Sequence, residues 1–247
     1  MHDTAFLAAL EFLRIYCTDN KSSVRILDVG GRPDDKHPEL PLARAIRDQF
    51  PHAEYVVLDL ESVPGVDAVY RLGQAFPFED ESFDYVLNSS SFQHDPCFWV
   101  TFCEMCRVLK PNGHIYVNAP ANGPFQRAPA DNWRFYGDAG QALAYWAGRN
   151  GLCVQVLESF HVPPCADQWI DYVCVWGKCE DATKEFLLSE SVRDVIGPLE
   201  AALRQRNIRT VQMIEVLPVA AANAPLESIP EDEEKIESLN SDSDDDK

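Results

Sequence analysis

Residues 24–31 read V-R-I-L-D-V-G-G, a short apolar run rich in β-branched side chains that stops at an acid and two glycines. Val24, Ile26, Leu27 and Val29 suit a strand buried on both faces. Gly30 and Gly31 let the backbone turn sharply and let a ligand come close to main-chain N–H groups. A second run, Tyr55-Val56-Val57-Leu58, also ends in an acid, Asp59. An acid at the tip of the second strand of an open parallel sheet is placed to accept hydrogen bonds from ribose hydroxyls. Together the two tips predict a nucleoside-binding edge. The first taken alone also fits a core strand that ends in an ordinary turn.

The same periodicities continue along the chain. Phe6, Leu7, Leu10, Phe12, Leu13 and Tyr16 recur at helical spacing and predict a helix over 4–17. Further helices are expected over 40–50, 97–109 and 138–149, and strands over 67–72, 83–88, 114–118, 153–160 and 172–176. Lys110-Pro111-Asn112-Gly113 reads as a turn, because Pro cannot continue a helix and Asn-Gly suits positive φ. No helical pattern separates the last two strands, so they should close the sheet as an antiparallel pair. The expected fold class is α/β, a doubly wound seven-stranded and mostly parallel sheet with one antiparallel edge strand and a C-terminal helical extension. The expected division is 1–180 for the main domain, 181–219 for a helical and strand extension, and 220–247 for an acidic disordered tail.

The chain has 247 residues, 46% of them hydrophobic, with 5 Trp and 13 Phe, enough for a substantial core. Its formal charge is −19. Residues 226–247 hold ten acids against two lysines, a net of −8, which leaves −11 on the rest. Such a body repels phosphate backbones and argues against nucleic acid as a substrate. The densest basic group, Arg204, Arg206 and Arg209, reads as a solvated helix end. No apolar run is long enough to span a membrane, and the N-terminus lacks the basic start of a signal peptide. The eight cysteines lie among apolar neighbours and read as reduced thiols, which predicts a cytoplasmic protein. His161 with Asp167 and Asp171 matches no standard metal spacing, so no metal is expected.

Four stretches carry a family resemblance: I-L-D-V-G at 26–30, V-V-L-D-L at 56–60, F-P-F-E-D-E-S-F-D-Y-V at 76–86 and R-V-L-K-P-N-G-H-I-Y-V at 107–117. Over residues 22–180 the chain resembles the class I S-adenosylmethionine-dependent methyltransferases, in their type-11-like branch. The loop at 122–136 resembles one in polysaccharide and sugar methyltransferases. The usual first motif, D/E-x-G-x-G-x-G, is here Asp28-x-Gly30-Gly31-Arg32-Pro33-Asp34, with Arg32 and Asp34 in the places of the second and third glycines. Gln126 and Ala128 stand where such relatives carry His and Tyr.

The resemblance implies S-adenosyl-L-methionine as cofactor. It places Asp28, Gly30 and Gly31 along the methionine part, Asp59 at the ribose and Leu60 against adenine. Gln74, Ala75 and Phe76 would close over the base, and Asn88 and Ser89 would flank the sulfonium. The expected acceptor is a hydroxyl of a sugar, glycan or other small molecule, which gains from a positioned base. His94 is the first candidate for that base, although it is equally placed to cap the following helix. Asp131 is the second, with a salt bridge to Arg127 or Arg134 as its structural alternative. Arg127, Trp133, Arg134 and Tyr136 are the candidate substrate contacts, and the aromatic residues among them are equally candidates for core. Two other readings stay open. One is a weakened methyltransferase-like module that binds a protein partner through 181–219, and the other is methyl transfer to a protein side chain.

Overall fold

β1 (Arg25–Val29) and β2 (Glu54–Asp59) form where the chain offers unbroken apolar runs, and their inward side chains reach both faces of the sheet. In a computed structural model, which describes residues 3–17, 23–33, 42–126, 130–164 and 168–179, they pair in parallel with Asp28 opposite Val57. β3 (Ala68–Val69) flanks β2, and β4 (Phe83–Ser89) pairs in parallel with the other side of β1. β5 (Leu109–Pro120) follows β4, and β7 (Asp171–Lys178) runs antiparallel to both β5 and β6 (Val154–Val162). The order across the sheet is β3–β2–β1–β4–β5–β7–β6. This is the expected seven-stranded sheet, with its antiparallel pairing at the β6 end. The strand order reverses between β1 and β4, and crevices form at such reversals.

Helices cover both faces. α1 (Asp3–Tyr16) and α2 (Leu42–Gln49) share a buried cluster with Ile26, Tyr55, Val57, Leu87 and Tyr116. α3 (Phe98–Val108) and α4 (Ala139–Arg149) lie on the other face, where Phe102, Met105, Leu143 and Trp176 pack beside Leu27, Val29 and Val86. The Phe102 and Trp176 rings meet at 4.8 Å, and the Trp176 indole donates to the Gly140 carbonyl at 3.0 Å. The expected extension at 181–219 and tail at 220–247 lie outside the described residues.

Three local expectations change. On α1 the fully buried positions are Ala5, Ala8, Ala9, Phe12 and Leu13, while Phe6, Leu7 and Leu10 are only partly buried. Ala8 and Ala9 join Phe12 and Leu13 in the cluster that α1 shares with the sheet. The third strand shortens to two residues, and Tyr70 packs its ring edge-on against Phe76 at 5.0 Å. The turn at Lys110–Gly113 is absorbed into β5 as a bulge, so the step from Leu109 to His114 faces only the step from Phe83 to Tyr85. Asn112 supplies the positive φ of 61°, and a Cβ on Gly113 would lie 2.7 Å from the Asp84 carbonyl oxygen.

His114 packs between Tyr16 at 4.8 Å and Tyr85 at 6.0 Å, and burial lowers its pKa to about 4. The unfolded chain takes up this proton near pH 6.5, before the folded one does. The resulting stability is complete above pH 6.5 and is lost as pH falls toward 4. Urea unfolding of His114→Gln is expected to show a shallower loss of stability over that range than the parent.

Candidate functional site

The C-terminal tips of β1, β2 and β4 converge at the strand reversal. Along β1 and β2, alternation puts Asp28 on the same face as Tyr55, Val57 and Asp59. Asp28 and Asp59 are both buried, on one rim, at 2% and 8% exposure. Gly30 leaves β1 at φ 79° and donates its N–H to the Leu58 carbonyl at 2.7 Å, which ties the turn to the neighbouring strand. A Cβ at Gly30 would lie 2.5 Å from Ser91 Oγ, and one at Gly31 only 2.1 Å from Asp28 Oδ2. Both positions therefore need glycine, the first for its φ and both for close approach.

Asp59 accepts the Leu60 N–H at 2.7 Å and the Arg32 N–H at 3.4 Å. The Arg32 guanidinium turns outward to Glu61 at 2.9 Å, and Pro33 rests against Gly65. The side chains of the altered glycine loop thus have partners outside the space between the two acids. Asp34 lies outside the described residues. Asn88 donates from Nδ2 to the Val29 carbonyl at 3.0 Å and to Ser91 Oγ at 2.5 Å. Its Oδ1, like Asp28 Oδ1, is buried and has no hydrogen-bond partner among the described residues. Ser89 is buried beside it, at the tip of β4.

Burial drives the Asp28 pKa up to about 6, against the opposing hydrogen bond from the Tyr55 phenol, and the nearby Asp59 charge raises it further. At neutral pH this is an ionised carboxylate in an apolar setting with one unmatched oxygen. Such a group favours a cationic ligand. Beyond β2, Leu60, Gln74 and Ala75 are exposed, while Phe76 is buried and its N–H is held by Glu104 at 2.7 Å.

A second group of candidates lies beyond β4. The 3₁₀ turn Phe92–His94 is strapped to the loop at 130–136. The Gln93 carbonyl accepts the Asn132 N–H at 2.7 Å and the Trp133 N–H at 3.3 Å, and the Trp133 indole donates to the Asp95 carbonyl at 2.9 Å. His94 is engaged on both sides of its ring, by the Ala130 carbonyl at Nδ1 and by Gln93 Nε2 at 3.1 Å from Nε2. In this arrangement the ring holds the loop, and no lone pair is left to take a substrate proton. It does not cap α3 either, whose N-cap is Cys97 without a side-chain capping bond; ahead of the helix Asp95 accepts the Cys97 N–H at 2.8 Å and the Thr101 hydroxyl at 2.5 Å.

Asp131 follows its structural alternative. Arg134 grips both its oxygens, at 2.5 and 2.7 Å, and the Gln126 N–H adds a bond at 2.6 Å. Its pKa is lowered, chiefly by the Arg134 hydrogen bonds and then by that of Gln126, which makes it a poor base. Arg134 is also taken up by the Trp133 and Pro124 carbonyls and by the Trp169 ring, so it is not free to reach a substrate. Trp133 packs edge-on against Phe98 and Trp99, whereas Tyr136 projects at 68% exposure. Arg127 lies outside the described residues, as does Asp167 of the unmatched His161 grouping. Among the described residues there is no cluster of three potential metal ligands.

Sequence reasoning missed Ser91, which packs on the Gly30 turn, and Gln93, whose buried Oε1 has no hydrogen-bond partner among the described residues. Both stand in the polar run S-S-S-F-Q-H-D straight after β4, a signal for this position in the fold. It also missed Tyr55, which looked like an ordinary strand residue.

Residues 41–117 match the model of a methyltransferase domain family. The phthiotriol/phenolphthiotriol dimycocerosates methyltransferase of Mycobacterium tuberculosis is 37% identical over 70 residues, which cover 28% of this chain and 26% of that protein. The fatty-acid O-methyltransferase of Mycolicibacterium smegmatis is 37% identical over 82 residues, covering 28% of this chain and 30% of it. The chain thus matches under a third of the length of these curated relatives. Among solved structures, the Burkholderia thailandensis 1,6-didemethyltoxoflavin-N1-methyltransferase with bound 1,6-didemethyltoxoflavin and S-adenosylhomocysteine has a TM-score of 0.50 at 15% identity. That likeness covers 71% of this chain and 79% of the other, and it shows a shared fold. No helix among the described residues is long and apolar enough to cross a membrane.

Proposed function

We propose that this chain binds S-adenosyl-L-methionine across the tips of β1, β2 and β4 and transfers its methyl group to a small acceptor beneath the loop at 130–136. The observation that carries the reading is the single rim at the strand reversal. There two buried carboxylates and Asn88 surround a glycine turn, with Asp28 Oδ1 and Asn88 Oδ1 unmatched among the described residues. A donor with a sulfonium and an α-ammonium supplies the positive charge these oxygens lack. Asp59 suits the ribose hydroxyls, Leu60, Gln74, Ala75 and Phe76 the adenine, and Asn88 with Ser89 the sulfonium end. The matched family and the relatives named above support methyl transfer as the chemistry.

Methyl transfer is an in-line displacement at carbon, so positioning matters more than bond chemistry by the protein. The acceptor is a hydroxyl compound, either a sugar or glycan or an apolar alcohol. The exposed ring of Tyr136 and the partly exposed ring of Trp133 offer surface for either. A second reading, a binding module with weak turnover, is favoured by one observation: both candidate bases are occupied within the loop. In that case a protein partner at 181–219 would carry the role. Incubation with methyl-labelled cofactor and separate glycan, lipid, metabolite and protein fractions tests the proposal. Label in a small-molecule fraction supports it. Tight cofactor binding with no label in any fraction favours the module, and label in protein alone moves the acceptor to a side chain.

A further inference from the structure

Tyr55 lies opposite Ile26, two register positions before Asp28 and four residues before Asp59, and has no place in the cofactor contacts described so far. Its ring is buried at 7% exposure, and its phenol oxygen donates to Asp28 Oδ2. This is the same oxygen that lies against Gly31, where an added Cβ would come to 2.1 Å. The phenol therefore fixes the rotation of the carboxylate, seats one oxygen under the glycine turn and leaves the other, Oδ1, unmatched. The ring is itself held from above by the Arg47 guanidinium of α2, 5.3 Å from its centre, and Arg47 reaches Asp67 at 3.6 Å.

We propose that Tyr55 is a positioning residue for the cationic amino-acid end of the cofactor, acting through Asp28 and Gly31 without touching the ligand. The inference rests on the binding reading above and extends it to the strand interior. It has two consequences. Without the phenol, Asp28 loses the donor that fixes its rotation, and the glycine turn loses its seat. The hydrogen bond also favours the ionised carboxylate, so its removal shifts Asp28 toward the neutral form. The charged and titratable groups facing Asp28 are Tyr55 and Asp59 of β2 and Arg47 of α2; Asp67 faces Tyr55. Of these, burial and Asp59 oppose ionisation of Asp28, while Tyr55 and Arg47 support it.

Calorimetric titration of the full chain and of Tyr55→Phe with S-adenosylhomocysteine and with adenosine, between pH 5 and 8, tests the inference. Adenosine carries the ribose and the base but no ammonium. For the parent, S-adenosylhomocysteine affinity should fall as pH drops through about 6, while adenosine affinity stays level. Tyr55→Phe should weaken S-adenosylhomocysteine about 10-fold at pH 7.5, the scale of one hydrogen bond to a charged group. It should also move the midpoint to higher pH and leave adenosine unchanged. Gly31→Ala should give the same selective loss by displacing Asp28 from the other side. Equal losses for both ligands, or an unchanged midpoint in Tyr55→Phe, would overturn the positioning role. If the parent binds neither ligand, the cofactor reading itself fails, an outcome separate from these.

Discussion

Asp28→Asn is expected to make the free protein more stable and to strip it of affinity for S-adenosylhomocysteine. The parent carboxylate is buried, and its pKa is raised to about 6 from an ordinary value of 3.8. A raised carboxylate pKa means that the folded state binds the proton more tightly than the unfolded chain. Ionisation therefore costs stability as pH climbs from 4 to 6, and the whole cost is present above pH 6. The asparagine amide keeps an acceptor for the Tyr55 phenol and removes the charge. At pH 7.5 removing the charge should gain about 2–3 kcal/mol, from about two pKa units at roughly 1.4 kcal/mol each, of which the buried amide NH2 in the place of Oδ1 offsets about 1 kcal/mol. The gain from removing the charge should shrink below pH 6 and vanish near pH 4. His114 has the opposite slope over this range, so only the difference between variant and parent isolates Asp28. The same change should weaken S-adenosylhomocysteine by about 100-fold, since a charge-assisted contact to the ammonium is lost. Urea unfolding and calorimetry on one preparation read both effects. A variant less stable than the parent at neutral pH would contradict the burial argument.

Asp59→Ala should act on a different part of the ligand. If its carboxylate takes the ribose hydroxyls, affinity falls by about 1.5–3 kcal/mol. Because adenosine has the same ribose, adenosine and S-adenosylhomocysteine should lose by the same factor. Asp28→Asn should spare adenosine. The crossed pattern separates the two acids on one rim, and equal affinities in parent and Asp59→Ala would refute the ribose assignment.

The sheet was legible because its strands are apolar runs that end in glycines and acids, and that pattern follows from burial on both faces. The tips of β1 and β2 could be read for the same reason: Asp28 and Asp59 are charges at the ends of otherwise apolar segments. The α1 face was legible in part, because large side chains dominate a periodicity count: Phe12, Leu13 and Tyr16 are buried, whereas Phe6, Leu7 and Leu10 are partly so. Ala5, Ala8 and Ala9 join the buried set, each at full burial. The bulge at Lys110–Gly113 looked like a turn because Pro and Asn-Gly signal local geometry and not whether pairing resumes across it. His94 and Asp131 were drawn by residue type, and type alone does not reveal that a carbonyl, an amide and a guanidinium already occupy them. Tyr55 escaped notice for the converse reason: an aromatic residue in a strand reads as core, and only the fold aims its hydroxyl at Asp28.

Everything proposed for this chain depends on a cationic adenosyl ligand docking where β1, β2 and β4 end together. Titrating the unmodified chain with S-adenosylhomocysteine at pH 7.5 tests it most directly. Saturable heat with one site per chain is expected, and a flat titration at millimolar ligand would rule that docking out.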